Sequence, residues 1–93
     1  MKFKLKNEFG YIECNEQTPN RAEIVDMWIS PIHRKRGIGT NMLQELVNTY
    51  PQYEDYVLIS APSARPFWNR FVTQKTKRNK SFYTIPRSAF IKV

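Results

Sequence analysis

The strongest constraint on the fold of this 93-residue chain is a pair of glycines set between two unlike apolar patterns. Before the pair, Arg21 to Ser30 carries Ile24, Val25, Met27, Trp28 and Ile29 almost without interruption, as expected for a central strand covered on both faces. Pro31 ends that run. After the pair, Met42, Leu43, Leu46 and Val47 recur at the spacing of an amphipathic helix of roughly three turns that closes near Tyr50-Pro51. Between them stands Arg34-Lys35-Arg36-Gly37-Ile38-Gly39-Thr40. Two glycines one residue apart let the backbone turn tightly and come close to a ligand. The helix start that follows offers unpaired N–H groups and the positive end of a dipole, a setting that stabilises a phosphate, and three consecutive cations add to it. A lone Gly-x-Gly is weak evidence; strand, cations, glycines and helix in succession are stronger. The turn lacks the Gly-Lys-Ser/Thr of one common phosphate loop and the third glycine of another.

The flanking segments give the order of elements. Lys2 to Lys6 alternates with period two, and Phe9 to Cys14 alternates again with Phe9, Tyr11 and Ile12 facing inward. Asn15 to Asn20 is loop chemistry. Tyr56 to Ser60 predicts a fourth strand, and Ala61-Pro62-Ser63 opens a second helix with Ser63 as its N-cap and Phe67, Trp68, Phe71 and Val72 on its apolar face. Lys75 to Lys80 reads as a basic connector, and Ser81 to Ile85 and Ala89 to Val93 as two closing strands. The expected order is β-β-β-α-β-α-β-β, an α/β arrangement of one mixed sheet flanked by two main helices. Residues 1–93 are expected to form a single domain, since this length closes one small core.

Composition narrows the classes. Hydrophobic residues are 41% and aromatics 14%, too many for a disordered chain. No apolar run approaches the ~18 residues of a membrane span, and Met1-Lys2-Phe3-Lys4 alternates instead of opening a signal peptide, so a cytoplasmic protein without membrane contact is expected. With one cysteine, Cys14, and one histidine, His33, neither a disulfide framework nor a metal site is expected. The formal charge is +7, unevenly placed: residues 1–55 hold all eight acids against seven basic residues, whereas residues 56–93 hold eight basic residues and no acid. That C-terminal third reads either as a solvated face or as a surface for phosphates or an acidic partner. Aromatics interleaved with its cations (Phe67, Trp68, Phe82, Tyr83) make a nucleic-acid-binding module the alternative function.

The glycine turn and its neighbours resemble the Gcn5-related N-acetyltransferase (GNAT) superfamily. Arg34, Gly37 and Gly39 fill that family's Arg/Gln-x-x-Gly-x-Gly/Ala motif, Met27-Trp28-Ile29-Ser30-Pro31 looks like the strand and proline exit before it, and Phe67-Trp68 falls where the family has a Phe-Tyr pair. The likeness is strongest over residues 22–43, weaker over 56–72 and topological elsewhere. It implies acetyl-CoA as cofactor, with its pantetheine arm between two splayed parallel strands. Trp28, Ile29 and Ser30 would line that arm through their backbones, the Ile29 amide polarising the thioester carbonyl. Arg34 and the amides of Lys35, Arg36, Gly37, Ile38, Gly39 and Thr40 would hold the pyrophosphate, and Ser63 and Trp68 would border the same pocket. The implied reaction is direct attack of an amine on the thioester.

Ala22-Glu23-Ile24-Val25 is similar to the strand of histone-type members, whose glutamate is the general base. Glu23 would take that role, its carboxyl pushed upward by apolar neighbours; the alternative is an exposed strand residue paired with a lysine. Asp26, on a regular strand, would point to the opposite face. Two departures stand out. The family's thiolate-protonating tyrosine is replaced by Trp68, whose indole is no acid near neutral pH, and an asparagine of that region is replaced by Ala61. Three alternatives stay open: Ser63 or Tyr83 stands in as the acid, the thiolate leaves without an enzyme acid, or the chain is an inert interaction domain of the same fold. The chain also begins at what would be the second strand, so the resemblance implies a truncated member with an open cleft that suits a macromolecular acceptor, a protein lysine above all. A homodimer through the shortened sheet edge is a further expectation. His33 reads as a loop residue or phosphate contact, and Cys14 as a small strand residue.

Overall fold

Residues 1–34 and 37–91 are described by a computed structural model. Alternation builds the first two strands, β1 (Lys2–Asn7) and β2 (Gly10–Thr18), which pair antiparallel around the Asn7–Gly10 turn. β3 (Arg21–Ile29) returns antiparallel to β2, and the apolar stripe after the glycines forms α1 (Ile38–Thr49). β4 (Asp55–Ile59) then lies parallel to β3, a short helix α2 (Arg65–Asn69) follows, and a hairpin of β5 (Lys77–Asn79) and β6 (Phe82–Pro86) closes the sheet. The six strands run in the order β1-β2-β3-β4-β6-β5, so the sheet is mixed, with β3–β4 its parallel pair. The expected succession of strands and helices is the observed one. Among the described residues, no helix is long and apolar enough to cross a membrane.

Both helices pack on one face of the sheet. Met42, Leu43, Leu46 and Val47 of α1 are at most 2% exposed and share a core with Ile12, Cys14, Ala22 and Ile24. Burial of each such side chain contributes about 1.5–3 kcal/mol. Trp68 of α2 and Phe71 just beyond it join the same core beside Tyr56, Tyr83, Ile85 and Phe90. The other face is open at several large apolar side chains: Val25 is 54%, Trp28 44%, Ile59 69% and Phe82 45% exposed.

Several local expectations are corrected. β3 is central but not covered on both faces, since Val25, Asp26 and Trp28 are exposed. In β2 the inward residues are Gly10, Ile12 and Cys14; Tyr11 lies on the open face, stacked on Trp28. Ser63 does not cap the second helix. It lies inside a 3-10 turn, Pro62–Ala64, and α2 begins after it. Residues 89–91 do not extend into a strand: Arg87–Phe90 is a 3-10 turn that drops the Phe90 ring 5.9 Å from Tyr56 and 5.0 Å from Phe71. Lys92 and Val93 lie outside the described residues. The edge position is taken instead by β5, drawn from the expected basic connector, with Lys80 at φ 56° turning the chain into β6.

Candidate functional site

The site begins where a ladder stops. β3 and β4 pair only at Arg21–Asp55, Ala22–Tyr56 and Glu23–Val57, yet β3 runs on to Ile29 and β4 to Ile59. Each strand is held from its outer side: Ile29 pairs with Gly10 of β2, and Ile59 with Phe82 of β6. The two strands therefore splay. Their closed end is pinned by a two-point bond in which Arg21 Nε and Nη2 donate to Asp55 Oδ1 and Oδ2 at 2.7 and 3.1 Å. Beyond Glu23 the backbone edge of β3 that faces β4 is left for a ligand. The resulting cleft measures about 740 Å³. Its walls are residues 24–29 of β3, Leu58 to Ala61, the start of α1, and Phe67, Trp68 and Arg70.

The two glycines of the turn have different reasons to be glycine. Gly37 is the N-cap of α1 at φ 75°, in the left-handed region, and a Cβ there would meet nothing within 4 Å. Gly39 has an ordinary helical backbone, but its Cβ would lie 3.1 Å from the Phe67 ring and 3.3 Å from the Met27 methyl. Gly37 thus makes the turn, and Gly39 lets α1 close on α2 and β3. The first turn of α1 has no side-chain cap and no acid, so its N–H groups face the cleft mouth without a side-chain partner from the cap. Thr40 is 9% exposed and lines the cleft, and its buried hydroxyl has no hydrogen-bond partner among the described residues. An open helix N-terminus beside an orphaned hydroxyl fits a phosphate-bearing ligand.

The sequence-selected residues fall into three groups. Trp28, Ile29, Arg34, Gly37, Ile38, Gly39, Thr40, Ser63 and Trp68 are brought together on the cleft wall. Arg34 also ties the turn to the strand, its Nε donating to the Ile29 carbonyl at 2.9 Å. Lys35 and Arg36 lie outside the described residues. Glu23 and Ser30 do not line the cleft: Glu23 stands at its apex, on the last β3–β4 rung, and Ser30 donates its amide to the Phe9 carbonyl at 2.8 Å. Tyr83 is buried with its hydroxyl donated to Asn69 Oδ1 at 2.7 Å, away from the wall. Trp68 is 6% exposed and serves core and cleft together.

Three wall residues were not among the site candidates: Asp26, which a regular strand sends to the face opposite Glu23, and Ser60 and Arg70. Asp26 is there because β3 carries a bulge. Glu13 pairs with Asp26 but Cys14 with Ile24, which leaves Val25 as the extra residue. The bulge restarts the alternation, so Asp26 shares the open face with Glu23 rather than opposing it. A hydrophobic run gives no sign of this, because a bulge is set by the partner strand. Tyr11 donates its hydroxyl to Asp26 Oδ2 at 2.7 Å, and that bond, more than burial, holds the phenol above its usual 10.0.

A cleft between splayed parallel strands, with a glycine turn and helix N-terminus at its mouth, agrees with the sequence comparison. Residues 7–71 match the family model described as Acetyltransferase (GNAT) family. The chain belongs to this family. A search of curated proteins returns no match. In fold, this GNAT member is similar to Tetrahymena GCN5, with TM-score 0.72 and 13% identity over 97% of this chain and 71% of that one. It is similar to the PaiA N-acetyltransferase of Thermoplasma acidophilum in complex with coenzyme A, with TM-score 0.61 and 17% identity over 84% and 52%. A spermidine N-acetyltransferase from Vibrio cholerae gives TM-score 0.64 and 14% identity over 97% and 67%. The chain thus spans between about half and seven tenths of the length of these structures.

Proposed function

We propose that this GNAT member transfers the acetyl group of acetyl-CoA to an amine of a macromolecule, a protein lysine side chain. The carrying observation is the β3–β4 ladder that ends at Glu23–Val57 and opens into the cleft. Acetyl-CoA supplies an activated acetyl thioester, and the PaiA neighbour was solved with coenzyme A. The amides at the start of α1 and the Thr40 hydroxyl bind its pyrophosphate. The backbone of Ile29, the residue of this stretch that faces away from β2, orients the pantetheine arm, with its amide toward the thioester oxygen. Glu23, at the apex, takes the proton that the acceptor amine gives up. No tyrosine of the described residues lines the cleft. A thiol with a pKa of ~8.5 leaves as thiolate without a strong acid.

The acceptor assignment rests on the open sheet face. Trp28, Val25, Ile59 and Phe82 are exposed on that face, large apolar side chains of the kind a polypeptide partner covers. The lone buried thiol of Cys14 suits a cytoplasmic setting. The deciding experiment is calorimetry with acetyl-CoA followed by transfer to a lysine peptide read by mass spectrometry. Saturable binding, with Glu23→Gln lowering kcat about 10²-fold or more at unchanged affinity, is expected; absence of saturable binding overturns the reading.

A second reading draws on β5, whose Lys77, Arg78 and Asn79 are all exposed at the sheet edge. Arg78 is ordered by a bond from its Nε to the Lys80 carbonyl at 3.1 Å and by the Tyr83 ring at 5.1 Å. This acid-free edge would contact a nucleic acid that carries or accompanies the acceptor. Affinity for RNA should then fall steeply with salt, and no shift of RNA mobility at low salt removes the reading.

A further inference from the structure

The bulge at Val25 puts a second carboxylate where an acceptor arrives. Asp26 is exposed and lines the cleft, one bulge beyond Glu23 on the same face. Its carboxylate is held on one side only. Tyr11 donates to Oδ2 at 2.7 Å, while Oδ1 has no protein partner and Asp26 no ion pair among the described residues. Tyr11 is itself fixed: its ring stacks on Trp28 at 6.2 Å and 25°, and the Lys4 ammonium sits 4.3 Å from its centroid. Lys4 is thus engaged with the ring, leaving one carboxylate oxygen available beside two exposed apolar surfaces, Trp28 and Val25. Such a pairing of anion and apolar wall matches an ammonium on an unbranched hydrocarbon stem.

We propose that Asp26, positioned by Tyr11, binds the acceptor's ammonium through Oδ1 while the stem lies along Trp28. This rests on the acetyl-transfer reading and adds the acceptor subsite to it. The held ammonium gives one proton to the Glu23 carboxylate. The freed nitrogen lone pair forms the N–C bond to the thioester carbon as the C–S bond breaks, its electron pair leaving with sulfur, and the second nitrogen proton passes to solvent. Asp26 and Glu23 therefore divide the task, one binding and one accepting the proton. That division separates KM from kcat.

The test uses the whole chain and a capped lysine tripeptide, with the norleucine analogue as control. Asp26→Asn should raise the peptide KM about 10- to 100-fold, the loss expected of a charge-assisted hydrogen bond. The kcat and the acetyl-CoA dissociation constant should stay within about threefold. Asp26→Glu should recover part of the loss, and Tyr11→Phe should raise KM by a smaller factor. An NMR titration of the coenzyme A-saturated protein supplies a readout that needs no turnover: the tripeptide should shift the Asp26 and Trp28 resonances in the wild type, and neither in Asp26→Asn nor with norleucine. An unchanged KM in Asp26→Asn, or a wild-type titration that leaves Asp26 and Trp28 unmoved, overturns the proposal. If acetyl-CoA itself fails to bind the wild type, the acetyl-transfer reading fails first. Intact acetyl-CoA binding with an unmoved KM defeats the Asp26 subsite alone. Preferential binding of free spermidine over the tripeptide would keep the subsite and change the source of its ammonium.

Discussion

Gly10→Ala should damage both stability and cofactor binding, and the reason is geometric. A Cβ at Gly10 would lie 1.9 Å from the Trp28 carbonyl oxygen, 2.9 Å from its carbon and 3.0 Å from the Ile29 Cα. All three are backbone atoms, so no side-chain rotation relieves the contact. Ordinary contact begins near 3.4 Å, so the strands must part there by about 1.5 Å. A hydrogen bond stretched by that amount is lost. The displaced stretch covers the Gly10–Ile29 and Tyr11–Trp28 rungs and the 2.8 Å bond from the Ser30 amide to the Phe9 carbonyl. Two or three lost bonds at about 1 kcal/mol each make a cost of about 2–3 kcal/mol. Against a total of about 5–15 kcal/mol for a domain this is large. The corresponding fall in Tm, at about 4–8 °C per kcal/mol for a chain of this size, is about 10–20 °C by differential scanning calorimetry. Because the moved residues also wall the cleft, acetyl-CoA affinity should fall on the order of tenfold in the same variant. A Tm within about 3 °C of wild type with unchanged affinity would refute the argument, since the strands would have absorbed a side chain there without parting.

Gly37→Ala has open space but the wrong backbone, so only the left-handed conformation is penalised: a loss of about 1–2 kcal/mol in urea melts is expected, with weaker acetyl-CoA binding. The Arg21–Asp55 bond is partly solvated, with side chains 43% and 28% exposed, so Asp55→Asn should cost no more than about 1 kcal/mol by the same assay. Burial pushes the Cys14 thiol from 9.0 up to about 12. Above pH 9 the unfolded chain loses a proton that the folded chain keeps, so stability falls as pH rises from about 9 toward 12, by at most about 1.4 kcal/mol per unit from this group. Tyr53, also raised to about 12 by burial and by its hydrogen bond to Glu16, acts in the same direction above pH 10. Urea midpoints across that window should decline less steeply in Cys14→Ala, and equal slopes in the two proteins would contradict the assignment.

Segments with strong local periodicity were the legible ones. The stripe of Met42, Leu43, Leu46 and Val47 predicts α1, and the structure buries those four residues. The glycine turn is equally legible, because Gly37 must adopt a left-handed backbone that other residues resist. The strand expected over Ser81 to Ile85 is β6, but the other closing strand was misplaced, for a physical reason. Lys77-Arg78-Asn79 has no apolar face to announce a strand, and it pairs only because β6 presents an unfilled edge. Ala89 to Ile91 has strand-like composition, but burying the Phe90 ring against Tyr56 and Phe71 turns the chain back into the core. The absence of an N-cap at Ser63 has a similar origin: Pro62 starts a 3-10 turn before α2 can begin.

The same division runs through the site. Sequence by itself determined the β-turn-α unit, the residues that crowd the helix N-terminus, and the family likeness they carry. Each of these depends on spacing along one chain. Tertiary structure alone decided where β3 and β4 part, because that depends on which neighbour holds each strand once their own ladder ends at Glu23–Val57. It also decided that Asp26 stands on the same face as Glu23. A side-chain direction on a strand is fixed by its pairing partner, and one extra residue against β2 reverses it without leaving any mark in the hydrophobic pattern.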